Sequence, residues 1–363
     1  DLLMQLQGSI PSLNVHLQPI SDAASMIRPA NLRGLSADST LITTNGKRRH
    51  HASVIAFQGG GVNDGSQGAD ISVIPAIALK RVEVLRDGAS AQYGSDAIAG
   101  VINFVLDDIS EGGSLSYKMG EYTEGDGATS TIAGKIGMPL GQDGFVTTSF
   151  QIRQADDTSR SLQRPDAAAL IAAGNTAVAT PAQIWGAPKI DDDVTFFMNA
   201  GVTNSDGSES YMFGNYSERD VDGGFYYRNP DGRDGVFTSG DFRLVGDVDG
   251  TCAYSTGGTV DPTDYALRDT IMADASCFLM NQIAPGGYTP RFVGTITDTS
   301  FTTGRRGDIT DGFLSGYSFD VSGSVGRNEA DFGLNNTVNP SMGPDTPRNF
   351  TTGSYIELEK TFN

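Results

Sequence analysis

The chain has 363 residues, which is enough for two domains. Its formal net charge of −19 argues against nucleic acid as a partner, because phosphate binding requires a local basic surface. Hydrophobic residues make up 38% of the chain, and no segment has the roughly 18 consecutive apolar residues that a membrane helix requires. A transmembrane β-barrel is compatible with this composition, since alternating strands keep the average hydropathy near neutral.

The first sixty residues predict short elements separated by turns. Residues 1–9 predict a helix, and residues 10–17 predict a strand. A further strand is expected over residues 41–44, followed by the strong turn signal Asn45-Gly46. The chain opens on DLLMQL without a signal peptide, which indicates a mature or trimmed N-terminus.

The segment 75–106 predicts a compact succession of short elements. Pro75 suits the first position of a helical turn, and residues 80–86 alternate as a short strand. Gly94 can end a second helical turn in the left-handed conformation. Residues 100–106 are β-branched and apolar, as in a buried strand. The segment contains neither a nucleophile nor a set of metal ligands.

Three sequence blocks occur in a fixed order along this part of the chain: LRGL at 32–35, LITTNG at 41–46, and RVEVLRDG, YG and GVIN between 81 and 103. Together they resemble the plug domain of TonB-dependent outer-membrane receptors. The resemblance covers most of residues 1–110 at the level of motifs, and the rest of the chain in architecture only. It implies a protein of the bacterial outer membrane, in contact with the lipid of that membrane.

The resemblance also implies a function. Such a receptor transports a scarce nutrient, such as a ferric siderophore or another small organic ligand, actively across the outer membrane. The ligand binds at the plug apices, and the plug then moves under energy from the TonB complex of the inner membrane. We therefore expect as partners the TonB energy-transducing complex and a small-molecule ligand, for which an anionic or iron-chelating compound is the expected kind.

From Gly112 onward, runs with a period of two alternate with turns of Gly, Asp, Asn and Ser. The clearest run is 313–326, in which one side carries the apolar residues Phe313, Tyr317, Phe319, Val321 and Val325. This pattern is typical of a barrel wall that is apolar outside and polar inside, although a soluble antiparallel sheet with one wet face alternates in the same way. Connection lengths favour the barrel, because short connections alternate with long ones at about 158–192, 221–293 and 327–353.

About eight strands follow the predicted plug, whereas barrels that hold a plug have about 22 strands. We therefore expect a membrane all-β fold: an antiparallel transmembrane β-barrel, partial in this chain, with an N-terminal mixed α+β plug domain inside the lumen. The plug is predicted at residues 1–110, and the N-terminal part of the transmembrane barrel at 111–363.

Two cysteines, Cys252 and Cys277, lie in one polar, loop-like stretch. A disulfide between them would close a loop of about 25 residues and stabilise it by about 3 kcal/mol. It would also imply an oxidising compartment. The polar surroundings favour this disulfide over two unrelated thiols, because they offer no apolar site in which to bury a free thiol.

Five residues are candidates for substrate contact: Arg33, Arg49, His50, His51 and Tyr93. The resemblance places the turns after Arg33-Gly34 and Asn45-Gly46, and the Tyr93-Gly94 pair, at plug apices that face the extracellular side. Residues 47–51 are also the densest positive stretch of an acidic chain, and would attract an anion in a partly dry vestibule. The alternatives are a solvated basic turn, a packed tyrosine at 93 and a structural ion pair at Arg33.

Three further residues, Arg81, Glu83 and Arg86, are predicted to lie where the plug meets the inner face of the barrel. Buried charges must be paired, so partners are expected on strands that face the lumen. The candidate partners are Glu357, Glu359 and Asp320. Such pairs would hold the plug while allowing it to shift under force.

The remaining sequence patterns do not meet the requirements of a metal, nucleotide or catalytic site. The runs 191–193 and 247–250 are acidic, but neither has the full spacing of a calcium loop. Adjacent His50 and His51 are a poor zinc site, and no nucleotide fingerprint or catalytic constellation is visible. We therefore expect no metal, no cofactor and no enzymatic activity. The alternative function is that of a β-rich surface binding module or a signalling receptor without transport.

Overall fold

The structure is a computed structural model that describes residues 6, 8–10, 13–15, 26–56, 61–86, 90–255 and 260–338, and the backbone of 344–346, 349–350 and 352–362. We call the N-terminal unit up to Leu106 the plug, and the eight-stranded sheet that follows it the wall. Most of the helix predicted over residues 1–9 lies outside the described residues, as do the side chains of Glu357 and Glu359.

Among the described residues of the plug, the elements with defined bounds are six short strands, one α-helical turn and four 3-10 turns. The strands are β1 (Leu13–Val15), β2 (Ala30–Leu32), β3 (Thr40–Thr44), β4 (Lys47–Arg48), β5 (Leu79–Leu85) and β6 (Gly100–Leu106). The helical turn is α1 (Ser90–Tyr93), and the 3-10 turns are Ala37–Ser39, Gly61–Asn63, Ala76–Ala78 and Ser95–Ala97. Four strands make a sheet in the order β4-β3-β6-β5, in which β3 and β6 are parallel.

The two central strands form because both of their faces are covered. Every residue of β3 is buried, and Ile42, Ile102 and Phe104 contribute to one apolar core. The turn after β3 places Asn45 at φ 49° and Gly46 at φ 77°, the left-handed pair that a tight hairpin requires. The strands and the turn predicted in this region are therefore confirmed, and β5 spans Leu79–Leu85 beside them.

The rest of the chain forms the long strands of the wall and several strands of two or three residues between them. In chain order these strands are β7 (Gly113–Gly120), β8 (Thr129–Pro139), β9 (Gly144–Ala155), β10 (Lys189–Thr203), β11 (Glu209–Gly224), β12 (Thr238–Ser239), β13 (Phe242–Arg243), β14 (Gly246–Asp247), β15 (Cys277–Phe278), β16 (Arg291–Asp308), β17 (Ser318–Val338), β18 (Pro344–Thr346), β19 (Asn349–Phe350) and β20 (Thr352–Phe362). The wall is the antiparallel sheet β7-β8-β9-β10-β11-β16-β17-β20.

Side chains alternate between the two faces of the wall, apart from a bulge in β10 between Ile190 and Asp193. On β10, Val194 and Phe196 are exposed on the outer face, whereas Thr195 and Asn199 are buried on the inner face. The outer face is apolar on the other strands too, at Leu115, Met119, Ile132, Ile136, Phe150, Ile152, Met212, Val321 and Val325. The alternation predicted from the sequence is therefore present, and the plug covers the inner face.

The connections differ in length at the two ends of the wall. At one end they are short, over residues 140–143, 204–208 and 309–317. At the other end, residues 156–188 join β9 to β10 and residues 225–290 join β11 to β16. Strand β17 continues to Val338, so the loop expected from residue 327 starts later. The predicted domain limits, 1–110 and 111–363, stay a prediction.

The long connections carry structure of their own. They contain the helices α2 (Pro165–Ala172) and α3 (Tyr265–Ala273), and Cys252 and Cys277 form a disulfide with a Cα–Cα distance of 5.0 Å. The disulfide lies in a small apolar core with Val260, Ile271 and Leu279. Among the described residues, no helix combines the length and the apolar character needed to cross a bilayer.

Two apolar contacts seat the plug on the wall. Phe197 and Phe213 of the wall join the core around Ile42 and Phe104 of the plug. A second group packs near the long connections, where Met26, Ile27, Ala52, Val54 and Ala56 of the plug meet Val221, Ile296, Ala330 and Phe332 of the wall. Polar side chains lie between these two apolar groups.

Candidate functional site

A buried carboxylate, Asp298 of β16, is the centre of the polar contact between plug and wall. Arg49 donates from Nη2 to Asp298 Oδ1 at 2.6 Å, and His50 Nε2 lies 2.8 Å from Asp298 Oδ2. The wall adds Asn215 Nδ2 at 3.0 Å and Asn328 Nδ2 at 3.0 Å. We call these five residues the Asp298 contact.

The Asp298 contact is almost closed to solvent, since the side chains of Arg49, His50 and Asp298 are 2%, 7% and 3% exposed. Burying a carboxylate is costly unless charges and hydrogen bonds compensate it. Here Arg49 supplies a positive charge, and each of the two carboxylate oxygens has two polar partners. The arrangement therefore fixes the plug at one register along β16.

Close approach of His50 to the wall depends on Gly326 of β17. A Cβ atom at position 326 would lie 2.2 Å from Nδ1 and 2.5 Å from Cγ of His50. These distances are far below van der Waals contact, so a side chain here would displace the imidazole. The glycine thus provides the space in which His50 reaches Asp298.

Two further ionic contacts join plug and wall. Lys47 Nζ lies 2.8 Å from Asp320 Oδ2, and Tyr211 donates to the other oxygen of Asp320 at 2.6 Å. Nearer the long connections, Arg219 donates to Asp70 Oδ2 at 3.2 Å and to the carbonyl of Met26 at 2.7 Å. The Lys47–Asp320 pair is half-buried and the Arg219–Asp70 pair is buried. The ion pairs between plug and wall therefore differ in their exposure to solvent.

A cavity of about 490 Å³ lies beside the basic segment 47–51. Its wall side carries small hydroxyl side chains, and its plug side carries basic ones. The lining includes Lys47, Arg48, His51, Ser300, Thr302, Ser322 and Ser324. Since Arg48 pairs with Asp96, and Lys47 with Asp320, the positive charges beside this cavity have carboxylate partners within the protein.

The structure distributes the five predicted substrate residues over different surroundings. Arg49 and His50 belong to the Asp298 contact, and His51 lines the cavity. Arg33 has φ 57° and its Nη1 lies 3.4 Å from the Arg86 carbonyl. Tyr93 is 37% exposed, and its carbonyl accepts from Arg48 at 2.9 Å. Substrate contact by these residues stays a prediction.

The Asn45-Gly46 turn itself lies at the short-connection end of the wall, and the apex expected in the chain that follows it stays a prediction. Asn45 Nδ2 donates to Asn199 Oδ1 at 3.2 Å, close to the short-connection end of β10. Topology explains this, because β6 must end near the start of β7 at that same end. Strand β3 runs parallel to β6, so the turn after β3 lies at the short-connection end as well. It does not face the long connections.

The predicted partners of Arg81, Glu83 and Arg86 differ from those in the structure. Arg81 Nε donates to Glu83 Oε1 at 2.7 Å, and Asn103 donates to Glu83 Oε2 at 2.9 Å. Arg81 and Glu83 are about half exposed, and Asp320 is occupied by Lys47 and Tyr211. Among the described side chains, none of these three forms an ion pair with the wall, and their pairing with Glu357 or Glu359 stays a prediction.

Sequence reasoning missed Asp298, Asn215 and Asn328. All three lie on the inner face of their strands, where alternation predicts polar residues but not their partners. A single carboxylate flanked by Ile296 and Ser300 on the same face of β16 was the available signal. Among the described residues, no group of three or more His, Cys, Asp or Glu side chains is arranged to hold a metal ion.

The family model that matches this chain covers the plug. Residues 2–101 match the family model of the TonB-dependent Receptor Plug Domain. The ferric enterobactin receptor of Pseudomonas aeruginosa is 31% identical over 103 residues, which are 28% of this chain and 14% of that protein. The vitamin B12 transporter BtuB of Photobacterium profundum is 30% identical over 152 residues, 39% of this chain and 23% of the relative.

A crystal structure of the Pseudomonas aeruginosa ferric enterobactin receptor with enterobactin superposes with a TM-score of 0.47 and 14% identity, over 97% of this chain and 51% of that one. In the sequence comparisons, the chain spans less than a quarter of the length of the ferric enterobactin receptor and of BtuB. The plug-and-wall architecture confirms the predicted fold class, a long antiparallel β-sheet with a mixed α+β plug against its inner face. The sequence of the N-terminal part of the chain is thus similar to the plug domain of TonB-dependent receptors.

Proposed function

We propose that the protein takes up a scarce nutrient, such as a ferric siderophore or another small organic ligand, across the bacterial outer membrane. The ligand binds at the long-connection side of the plug, and the TonB complex of the inner membrane drives a shift of the plug. Relatives are described as receptors for ferric enterobactin and as transporters of vitamin B12, which supports uptake as the class of activity.

The observation that carries this proposal is the Asp298 contact. A continuous apolar core would join plug and wall permanently, because separating it would expose a large apolar surface. Ionic groups differ, since water can solvate them once they separate and the desolvation cost of the pair is then recovered. The buried pairs therefore support a plug that is held in one position but can be released.

The apolar outer face of the wall supports the proposed location in the outer membrane. Exposed side chains such as Leu115, Met119 and Val321 form a surface suited to lipid, opposite a polar inner face. The binding or signalling alternative shares this location. It differs only in the fate of the ligand, which would stay at the cell surface.

The test uses the full-length receptor in its native host. A deletion strain should lose accumulation of ⁵⁵Fe from ferric enterobactin or of radiolabelled cyanocobalamin, and the complemented strain should regain it. A strain that also lacks TonB should still bind the ligand but should not accumulate it. Binding and accumulation that are both independent of TonB would contradict the proposal, and binding without any accumulation would establish the alternative.

A cysteine pair tests the release of the plug directly. The Cβ position of residue 326 lies 2.9 Å from Cβ of His50. A disulfide needs about 3.5–4.5 Å, so the pair can form once the two segments move apart by less than about 1 Å. The receptor carrying His50→Cys and Gly326→Cys should bind ligand but not transport it when oxidised, and reduction should restore transport. The two single-cysteine receptors are the controls. Transport by the oxidised pair at the rate of the reduced pair would show that this contact need not open.

A further inference from the structure

Asn328 of β17 bonds to the central carboxylate and to a separate segment of the plug at the same time. Its Nδ2 donates to Asp298 Oδ2 at 3.0 Å, within the Asp298 contact. Its Oδ1 accepts from the backbone N–H of Ser53 at 2.8 Å and from Ser53 Oγ at 2.9 Å. The side chain is fully buried. One amide of the wall therefore joins Ser53 of the plug to Asp298.

The plug segment that receives this amide leads from the Asp298 contact towards the long connections, and we call its residues 52–56 the arm. His50, just before the arm, lies against Gly326 of β17. Ala56, at the end of the arm, joins the apolar group that includes Phe332 of β17. Because β17 runs from a short connection to its long-connection end, the arm follows it in that direction.

Backbone hydrogen bonds hold the arm within the plug at both ends. The N–H of Ala52 donates to the Gly68 carbonyl at 3.0 Å, and the N–H of Ala56 donates to the Ser66 carbonyl at 2.9 Å. Between them, the N–H of Ser53 donates to the wall instead. Two of these amides thus report on the attachment of the arm to the plug, and the third reports on its attachment to the wall.

The amide of Asn328 has one orientation that satisfies both of its partners. Its carbonyl oxygen accepts from the Ser53 N–H, and its NH2 group donates to the Asp298 carboxylate. Rotation by 180° would set N–H against N–H and oxygen against oxygen, because a backbone N–H can only donate and an ionised carboxylate can only accept. Unsatisfied groups are costly in a buried position. Each contact therefore fixes the amide for the other one.

Asn215 of β11 is a matched comparison for Asn328. It is buried as well, and its Nδ2 donates to Asp298 Oδ1 at 3.0 Å. Its Oδ1 accepts from Arg49 Nη1 at 3.2 Å and from the hydroxyl of Ser300. The two asparagines thus support the same carboxylate with the same chemical group. Among the described residues, the one that also bonds to the arm is Asn328.

We propose that Asn328 is a positioning residue that couples the arm to the Asp298 contact, so that the arm and the ion pairs of that contact open together. Loss of either partner frees the amide to turn and so weakens its bond to the other, as in any small hydrogen-bond network. The proposal rests on the proposed uptake function, in which the plug is released, and it adds which contacts are released as one unit. Displacement of the arm would thereby weaken the hold of the wall on Arg49 and His50.

Hydrogen exchange of the full-length protein in detergent, read by mass spectrometry at single amides, tests this coupling. Asp298→Asn weakens the Asp298 contact without changing the arm. Exchange at the amides of Ala52, Ser53 and Ala56 should nevertheless accelerate by about tenfold, a coupling of the usual size for residues in one network.

Three backgrounds show whether the effect passes through Asn328. In an Asn328→Leu protein, Asp298→Asn should change exchange in the arm by less than about twofold, because the connection is gone. In the control, an Asn215→Leu protein, the acceleration should stay at about tenfold. Ser53→Ala leaves the wall intact and removes one of the two bonds from the arm to Asn328, so the acceleration should fall between these values.

Three results would overturn the inference. The first is unchanged exchange in the arm when Asp298→Asn is introduced into the wild-type protein. The second is an acceleration in the Asn328→Leu protein as large as in wild type. The third is its loss in the Asn215→Leu protein, because any damage to the Asp298 contact would then have the same effect.

Ser53→Ala decides the question if the Asn328→Leu protein does not fold. A smaller acceleration in Ser53→Ala than in wild type supports the coupling, and an equal one contradicts it. These measurements use neither a nutrient nor TonB. Failure of uptake in the complemented strain would therefore count against the proposed function, whereas the coupling itself is judged by hydrogen exchange alone.

Discussion

The Asp298 contact and the Arg81–Glu83 pair show two ways in which the plug uses charge. In the first, Asp298 is 3% exposed and joins the plug to the wall with partners on three segments of the chain. In the second, both side chains are about half exposed and both belong to β5. The difference teaches that burial, more than the presence of opposite charges, decides which ion pairs can hold the plug in position.

The largest effect should follow removal of the central carboxylate. Asp298→Ala leaves Arg49 buried without its counter-charge, so we expect a loss of about 3–5 kcal/mol in the stability of the plug–wall contact. The measurement is thermal unfolding of the full-length protein in detergent, with limited proteolysis of the plug as a second readout. Asp308→Ala, at the exposed end of the same strand, is the matched control. Equal unfolding temperatures for the two variants would contradict the comparison.

Crowding the same site should have a smaller effect. Gly326→Ala places a methyl group against the His50 ring, which we expect to cost about 1–3 kcal/mol. Gly323→Ala is the control on the same strand, because a Cβ there meets nothing within 4 Å. Both variants are compared by thermal unfolding. If Gly323→Ala destabilises the receptor as much as Gly326→Ala does, the cost comes from the strand and not from His50.

Removing a half-buried ion pair should cost less stability than removing the buried carboxylate, but more than removing the exposed pair. Lys47→Met removes the cation from Asp320, which keeps its hydrogen bond from Tyr211, so we expect a loss of about 1 kcal/mol. Salt should reduce the difference between wild type and variant, because the pair is partly open to solvent. Thermal unfolding at low and high ionic strength measures this. A salt-independent loss as large as that of Asp298→Ala would place Lys47 with the buried group.

The smallest effect is expected at the exposed pair. Hydrogen bonds from Asn103 and then from Arg81 lower the pKa of Glu83. A lowered pKa means that this contribution is present above the unfolded-state pKa and is lost as the pH falls through the folded-state value. Glu83→Gln should therefore cost at most about 1 kcal/mol near neutral pH and nothing in strong acid. Unfolding measured across the acid range checks this, and a difference that grows towards low pH would reverse the sign.

Local features of the fold were predictable from the sequence. The Asn45-Gly46 turn needs left-handed backbone that few residue pairs adopt, and the alternation on β10 follows from one face meeting the plug. Strand β17 was predicted too short, since Arg327 and Glu329 on its outer face interrupt the apolar pattern. Where the outer face of a strand becomes polar beyond the apolar band, the alternation stops, so the sequence pattern no longer shows where the strand ends.

The partners in the plug–wall contact were not predictable in the same way. His50 and Asp298 are far apart in sequence, and their meeting depends on how the sheet of the plug is oriented within the wall. That orientation follows from the parallel pairing of β3 with β6, which a single sequence does not reveal. For the same reason the sequence pattern suggests Asp320 as a partner on the barrel for residues 81–86, although Lys47 occupies it.

The shared carboxylate at position 298 has a consequence for biogenesis. Before the plug is in place, Asn215 and Asn328 are the hydrogen-bonding neighbours that the wall itself provides for Asp298, and neither carries a compensating charge. An unfilled lumen must therefore stay hydrated at this level of β16 until Arg49 and His50 arrive. Removal of water from this level of the interior and docking of the plug should therefore occur together.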